Sequence, residues 1–223
     1  MKNRIDVIPG ASGKTVVCIA GWATGPALFD RLFPNDRRVV ITPFEPVTVV
    51  QDLRCWVQED GASIDRVLGA SMGVPLAIQF AETATPRVPV IGIGANAGLA
   101  PAAMDGIAAM VRRLPNAYLR PFWRSCAGVL DDESWMMNAF LDVGWTVESL
   151  TAGLDFLKWP WGETLLTGGV THTFIHGADD VISPMGIMSK FAQTYGVELH
   201  IIDGVGHLPV GPYSVDRWRG KCQ

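Results

Sequence analysis

One seven-residue stretch constrains the fold more than any other part of the chain. Residues 67–73 read Val-Leu-Gly-Ala-Ser-Met-Gly, and a helical run follows from Val74 to Ala81. An apolar strand that enters Gly-x-Ser-x-Gly and then a helix predicts a sharp turn with a strained serine, Ser71, at its apex. Gly69 and Gly73 fit such a turn, because side chains there would collide with the crossing helix and the neighbouring strand. The pattern favours a nucleophile, and a turn without chemistry is the alternative.

Six apolar runs of strand length predict the sheet that carries this turn. They cover residues 14–21, 38–42, 65–70, 88–94, 170–176 and 197–202. Runs without polar alternation are typical of parallel strands that are buried on both faces. Helical patterns separate several of them, near residues 48–60, 74–84 and 184–195. The alternation predicts an α/β protein with a mostly parallel, doubly wound sheet.

The interval 98–166 breaks this alternation, because it contains no convincing strand. Its helical patterns are rich in Met, Trp and Phe and cover residues 102–114, 117–130, 133–143 and 147–158. We interpret the interval as a helical cap inserted over the carboxyl edge of the sheet, where open α/β folds bind ligands. Residues 1–97 and 167–223 would then form the core. An ordinary helical layer of the core is the alternative.

Composition excludes several classes of protein. Hydrophobic residues make up 48% of the 223 residues and charged residues 18%, as in a packed globular protein. The net charge of −4 argues against nucleic acid as the main partner. No apolar run reaches the roughly 20 residues that span a bilayer, and the N-terminus lacks the apolar core of a signal peptide.

Cysteine usage and the spacing of ligand-type residues bear on compartment and cofactors. The four cysteines show no C-x-x-C spacing and no disulfide-framework density, so we expect a reducing, cytoplasmic setting. No pair of histidines or acidic residues has metal-ligand spacing. We therefore expect neither a metal nor another cofactor.

A nucleophilic serine needs a base, and the base needs an acid that orients it. With this type of turn, the expected chain order is serine, acid, histidine. All four histidines follow Ser71, and His207 lies in a glycine-rich loop directly after the last predicted strand. His207 is therefore the candidate base. The other three lie inside predicted strands and are interpreted as core or sheet-face residues: His172, His176 and His200.

Two adjacent carboxylates are candidates for the acid. Asp180 comes three residues after Gly177 and four before Pro184, which places it at the crest of a loop over the sheet edge. Asp179 is expected to face solvent or to cap the loop, so we prefer Asp180. The loop after the fourth predicted strand, residues 95–97, contains no carboxylate and offers no other acid.

Acyl transfer also needs two backbone donors for the developing oxyanion. The residue after the nucleophile, Met72, would supply one N–H, and Trp22 in the loop 21–25 would supply the other. The indole of Trp22 would then form a wall of the acyl pocket. An ordinary turn that packs its indole on the core is the alternative for this loop.

Taken together, these residues resemble the α/β-hydrolase superfamily across the whole chain. Within it, the sequence is similar to the pimeloyl-acyl-carrier-protein methyl ester esterases of biotin synthesis. Three features carry this closer likeness: Gly21-Trp22, Gly-x-Ser-x-Gly at 69–73, and Gly153-Leu154-Asp155-Phe156-Leu157. The chain departs from the pattern at Ala20, where a histidine often stands, and at Ala70. It also continues only briefly after His207, so we expect a short or missing last helix.

The resemblance implies a serine carboxylesterase that hydrolyses the methyl ester of pimeloyl-acyl carrier protein. Ser71, Asp180 and His207 would form its triad, and Trp22 and Met72 its oxyanion hole. Two broader alternatives are a general short-chain carboxylesterase or acyl thioesterase, and a binding module that keeps the fold without catalysis.

Basic and aromatic residues of the predicted cap fit an acidic carrier with an alkyl chain. Four arginines fall within thirteen residues that contain no acidic residue: Arg112, Arg113, Arg120 and Arg124. If one helix ran through Pro115 and Pro121, the last three would share a face and steer an acidic partner. A solvated helix face is the alternative. The apolar channel would be lined by residues such as Trp123, Met136 and Phe140.

Overall fold

A seven-stranded sheet forms the centre of the computed structural model, which describes residues 3–131, 144–166 and 171–221. The strands are β1 Ile5–Ile8, β2 Thr15–Ile19, β3 Arg37–Ile41, β4 Arg66–Ala70, β5 Val90–Ile93, β6 His172–Gly177 and β7 Glu198–Ile202. Their order across the sheet is β1-β3-β2-β4-β5-β6-β7. β1 runs antiparallel to β3, and every other pairing is parallel. Strands β2 and β4, which lead to the loops of Trp22 and Ser71, are therefore central and adjacent.

The six predicted strands are confirmed, and β1 is the strand that the sequence patterns do not predict. Its residues are only partly buried, Asp6 interrupts its apolar run, and Val7 is 44% exposed. It pairs with β3 alone, at the edge of the sheet. An edge strand needs no continuous apolar run, because one of its sides is not covered by the core.

Helices cover the sheet and fill the interval between β5 and β6. They are α1 Val49–Asp60, α2 Gly73–Thr83, α3 Pro101–Arg113, α4 Pro115–Ala127, α5 Val147–Phe156, α6 Gly162–Leu165, α7 Met185–Tyr195 and α8 Pro212–Trp218. The last of them has seven residues, in line with the short final helix that we expected. No helix in the described ranges is long and apolar enough to cross a membrane.

The interval between β5 and β6 holds α3 to α6, and α3 packs against both α4 and α5. Three of its four predicted helices correspond to α3, α4 and α5, whereas the fourth, at 133–143, lies outside the described residues. The predicted boundaries of the cap at 98 and 166 stay predictions.

The arginine-rich part of this interval is not one continuous helix. Leu114 has φ −148° and ψ 70°, outside the helical region, and Pro115 opens α4 as its first residue. Proline lacks an N–H and restricts the residue before it, so the helix ends there and restarts. The hypothesis of one helix face for Arg113, Arg120 and Arg124 is therefore wrong, since the first lies on α3 and the others on α4.

Candidate active site

Ser71 occupies the turn between β4 and α2 in a strained conformation. Its φ of 49° lies in the left-handed region that residues with a side chain rarely adopt. A Cβ on Gly69 would lie 2.7 Å from the Cα of Val74, and one on Gly73 would lie 2.6 Å from the carbonyl oxygen of Ala20. Both glycines are required because the backbones of α2 and of the β2 end pass too close for any side chain.

The structure brings Ser71, His207 and Asp180 together. The His207 Nε2 lies 2.8 Å from the Ser71 Oγ, and its Nδ1 lies 2.7 Å from Oδ2 of Asp180. A carboxylate only accepts hydrogen bonds, so Nδ1 carries the proton and Nε2 is left to accept from the serine hydroxyl. Asp180 and His207 are buried, whereas Asp179 is exposed. This is the hydrogen-bonded order that activates a serine.

Asp180 is held as a charged carboxylate in a buried place. Burial by itself would raise the pKa of Asp180. His207, the backbone N–H of Ser183 and the ring of His176 stabilise the carboxylate, and together they keep its pKa below the usual value. Its Oδ1 accepts the N–H groups of Ile182 and Ser183, both at 2.8 Å. The loop thus presents Oδ2 to the imidazole of His207.

The end of helix α4 supports the loop of His207. The carbonyl oxygens of Cys126 and Ala127 accept the N–H groups of Leu208 at 2.9 Å and Gly206 at 3.3 Å. The N–H of Leu130 donates to the Gly204 carbonyl oxygen at 3.0 Å. Main-chain bonds on both sides of the histidine therefore fix its position relative to the end of α4.

The loop after β2 lies against Ser71. A Cβ on Gly21 would lie 3.2 Å from the Ser71 Cβ, so Trp22 follows the point of closest approach. Within the described ranges, the backbone N–H groups of Trp22 and Met72 donate to no protein acceptor. Two backbone donors beside a nucleophile are what an oxyanion hole requires.

Three tryptophan indoles connect this loop to the segment between β5 and β6. The Trp22 Nε1–H donates to the carbonyl oxygen of Leu150 at 2.7 Å. The Nε1–H groups of Trp123 and Trp145 donate to the carbonyl oxygens of Ala23 at 2.9 Å and Thr24 at 3.0 Å. Trp123, predicted to line the substrate channel, is buried in this contact and does not line the cavity at Ser71.

A mostly apolar cavity of about 400 Å³ opens at Ser71. Its wall includes Trp22, as predicted, and side chains from α3, α4, α5 and the acid loop, among them Ile107, Tyr118, Phe122, Leu154 and Val181. Apolar walls with a few polar groups are typical of small-molecule sites. Phe140 and Met136, also predicted for the channel, lie outside the described residues.

Asn96 is a polar residue of this cavity that the sequence reasoning did not single out. It is buried, and its Oδ1 accepts the N–H of Gly98 at 3.1 Å, which leaves the NH₂ as the free end of the amide. The available signal was its position directly after β5, at the carboxyl edge where open α/β sheets bind ligands.

The four arginines do not line the cavity at Ser71. All are exposed. Arg113 lines a separate depression of about 220 Å³ with Met110, Leu114, Ala117 and Tyr118. Tyr118 lines both spaces, so the arginine-bearing surface adjoins the cavity through its ring.

The described residues contain no group of three or more His, Cys, Asp or Glu side chains that could hold a metal.

A family model for the alpha/beta hydrolase family matches residues 10–216. The chain belongs to the alpha/beta hydrolase family. The match includes the turn at Ser71 and the loops of Asp180 and His207. The mostly parallel sheet, with β1 antiparallel at its edge, is that of an alpha/beta hydrolase fold, the fold class that the sequence predicted.

Solved structures share this fold at low sequence identity. An esterase from Exiguobacterium antarcticum has a TM-score of 0.83 at 16% identity, covering 99% of this chain and 93% of its own. A bromoperoxidase from Bacillus anthracis has a TM-score of 0.79 at 18% identity, with coverage of 98% and 91%. A thermophilic esterase from Thermogutta terrifontis has a TM-score of 0.75 at 18% identity, covering 99% of this chain and 91% of its own. At these identities the likeness shows the fold alone, and no curated protein matches the sequence.

Proposed function

We propose that this alpha/beta hydrolase is a serine carboxylesterase. The observation that carries the proposal is the hydrogen-bonded chain of Ser71, His207 and Asp180 beside an apolar cavity. The Ser71 Oγ lies 2.8 Å from Nε2 of His207, and Nδ1 of His207 lies 2.7 Å from Oδ2 of Asp180. Esterases from Exiguobacterium antarcticum and Thermogutta terrifontis with the same fold support this class of reaction.

The geometry supports a two-step acyl-enzyme mechanism. The Nε2 of His207 accepts the hydroxyl proton as the Ser71 Oγ attacks the ester carbonyl carbon. The N–H groups of Trp22 and Met72 donate to the oxyanion, and Asp180 stabilises the imidazolium. His207 then gives the proton to the departing alcohol oxygen. Water attacks the acyl-enzyme by the same route and releases the acid.

Labelling by a fluorophosphonate probe, together with hydrolysis of p-nitrophenyl esters, tests this proposal. We expect the wild-type protein to be labelled at Ser71 and to hydrolyse the esters. The variant Ser71→Ala should lose both, and the control Ser63→Ala, which alters an exposed serine before β4, should lose neither. An unlabelled and inactive wild-type protein would instead support a binding module that keeps the fold.

We further propose that the substrate is the methyl ester of pimeloyl-acyl carrier protein, in the cytoplasm. Residues 106–130 contain four arginines and no acidic residue, which suits an acidic carrier. Tyr118 lines both the Arg113 depression and the cavity at Ser71, so an arm from a carrier docked there would enter the cavity beside this residue. The free thiols of Cys18, Cys55 and Cys126 support a reducing compartment.

Replacing the arginines separates this narrower proposal from a general short-chain esterase or thioesterase. The triple variant at Arg113, Arg120 and Arg124 to Ala should lose kcat/KM on pimeloyl-carrier methyl ester and keep it on p-nitrophenyl butyrate. Arg54→Ala, an exposed arginine on α1, is the matched control. Equal losses on the two substrates would remove the carrier docking and leave the general esterase.

A further inference from the structure

His176 is a second buried histidine beside the proposed triad. It lies in β6, four residues before Asp180, and is 1% exposed. Its Nε2 is 2.7 Å from the carbonyl oxygen of Ser183 and 3.3 Å from Oδ2 of Asp180. A carbonyl oxygen accepts but does not donate, so Nε2 carries the proton and donates it to Ser183, with Oδ2 of Asp180 as a close electrostatic neighbour.

The surroundings of His176 keep its ring neutral. Its Nδ1 is buried and has no hydrogen-bond partner in the described ranges, so a proton there would be unsatisfied. The charged or titratable groups that face the ring are Asp180 and His207, which have opposite effects on it. Burial is the largest influence and lowers the pKa of His176, so the Nε2–H form persists near neutral pH.

The contacts of Asp180 show what this N–H does. Oδ1 accepts two backbone N–H groups, from Ile182 and Ser183, and Oδ2 accepts the Nδ1–H of His207. His176 donates to the carbonyl oxygen of Ser183, the residue whose N–H donates to Oδ1, and its ring lies against Oδ2. His176 therefore holds the far end of the turn that fixes the carboxylate.

We propose that His176 is a positioning residue for the reaction. Its Nε2–H holds the turn 180–183 and orients Asp180 so that Oδ2 meets the Nδ1–H of His207. This inference rests on the proposed serine mechanism, because Asp180 acts only through His207.

The variants His176→Gln and His176→Asn, a matched polar pair, test the positioning role of His176. The glutamine amide nitrogen is as many bonds from Cβ as Nε2 and keeps a donor in place, whereas the asparagine amide is too short. Asparagine should lower kcat about fivefold, the loss of one hydrogen bond, at an unchanged KM. Glutamine should restore kcat towards wild type.

Equal kcat losses in both variants would overturn the positioning role, as would no loss in either, or a loss that appears in KM and not in kcat. Urea unfolding identifies a variant that does not fold, and His176→Met then replaces asparagine as the variant without a donor. His200→Gln, on β7 and away from this turn, is the control and should match wild type. A wild-type protein without esterase activity or probe labelling would overturn the proposed function itself, so the two failures are distinguishable.

Discussion

The indole N–H of Trp22 donates to the carbonyl oxygen of Leu150 on α5 at 2.7 Å. Through its backbone N–H the same residue is the candidate oxyanion donor. Trp123 and Trp145, in the segment between β5 and β6, donate their indole N–H groups to the next two carbonyl oxygens of that loop. The segment between β5 and β6 therefore holds the candidate oxyanion loop in place and also lines the cavity.

Replacing Trp22 by Phe should lower both activity and stability. The ring volume is largely kept, but the Leu150 carbonyl loses a buried donor, and we expect the free energy of unfolding to fall by about 1 kcal/mol. Loosening of the loop should lower kcat about tenfold, as the loss of part of an oxyanion contact does. Urea unfolding and ester hydrolysis measure the two effects. Trp56→Phe, on the partly exposed face of α1, should leave kcat unchanged, and equal kcat losses would contradict the role of Trp22.

A pair of identical substitutions in two helices should have opposite effects on stability. A Cβ on Gly153 of α5 would lie 2.6 Å from Cδ1 of Trp22 and 3.0 Å from Sδ of Met72, so Gly153→Ala should displace the indole. We expect it to destabilise the fold by about 1–3 kcal/mol and to lower kcat. Gly106 of α3 has open space, so Gly106→Ala should stabilise by about 0.4–1 kcal/mol without changing kcat. Thermal or urea unfolding checks both signs, and a stabilising Gly153→Ala would contradict the packing.

Stability should fall in two stages on acidification. The pKa of His176 is depressed below 6.5 by burial, so the unfolded chain binds its proton first and stability is lost as the pH falls below that value. His172 contributes in the same direction, also through burial. The pKa of Asp180 is held below 3.8, so its contribution is full above that value and is lost at lower pH.

The variant His176→Gln isolates the first stage. Its free energy of unfolding should change less than that of wild type between about pH 7 and pH 5, because one titrating group is removed. Urea titrations at several pH values measure the difference. His200→Gln provides the comparison, and an identical pH dependence in wild type and His176→Gln would contradict the assignment.

The cysteines should differ sharply in reactivity. Burial raises the pKa of Cys18 to about 12, and it raises that of Cys126 well above its usual value, with the charge of Asp180 adding to the effect. Cys55 is exposed on α1. Iodoacetamide should therefore modify Cys55 in the native protein and reach Cys18 and Cys126 only after unfolding, as peptide mass spectrometry will show. Native-state modification of Cys126 would contradict its burial beside the proposed triad.

The parts of the fold that depend on continuous burial could be predicted from the sequence. Strands β2 and β4 are apolar and buried after their first residues, Thr15 and Arg66, because both faces are covered, and the glycines around Ser71 mark a turn with no room for side chains. Strand β1 could not be predicted in this way, since it is an edge strand with Asp6 inside it. Its pairing with β3 is a tertiary effect.

The candidate site, too, was predictable only where the local sequence carries the signal. Chain order and loop position were enough to select Ser71, Asp180 and His207, because an α/β sheet brings the carboxyl ends of its strands to one edge. Contacts between residues of different elements leave no such pattern in the local sequence. His176 therefore looked like any core histidine, and Trp123 looked like a channel wall although its indole binds a loop carbonyl.

The main-chain bonds between the end of α4 and the His207 loop set a condition for building chimaeric enzymes. Helices 101–127 of another hydrolase could not be grafted here by themselves, since residues 126–130 and 204–208 are bonded to each other along their backbones. The two segments have to be exchanged as one unit, although about 75 residues of chain separate them.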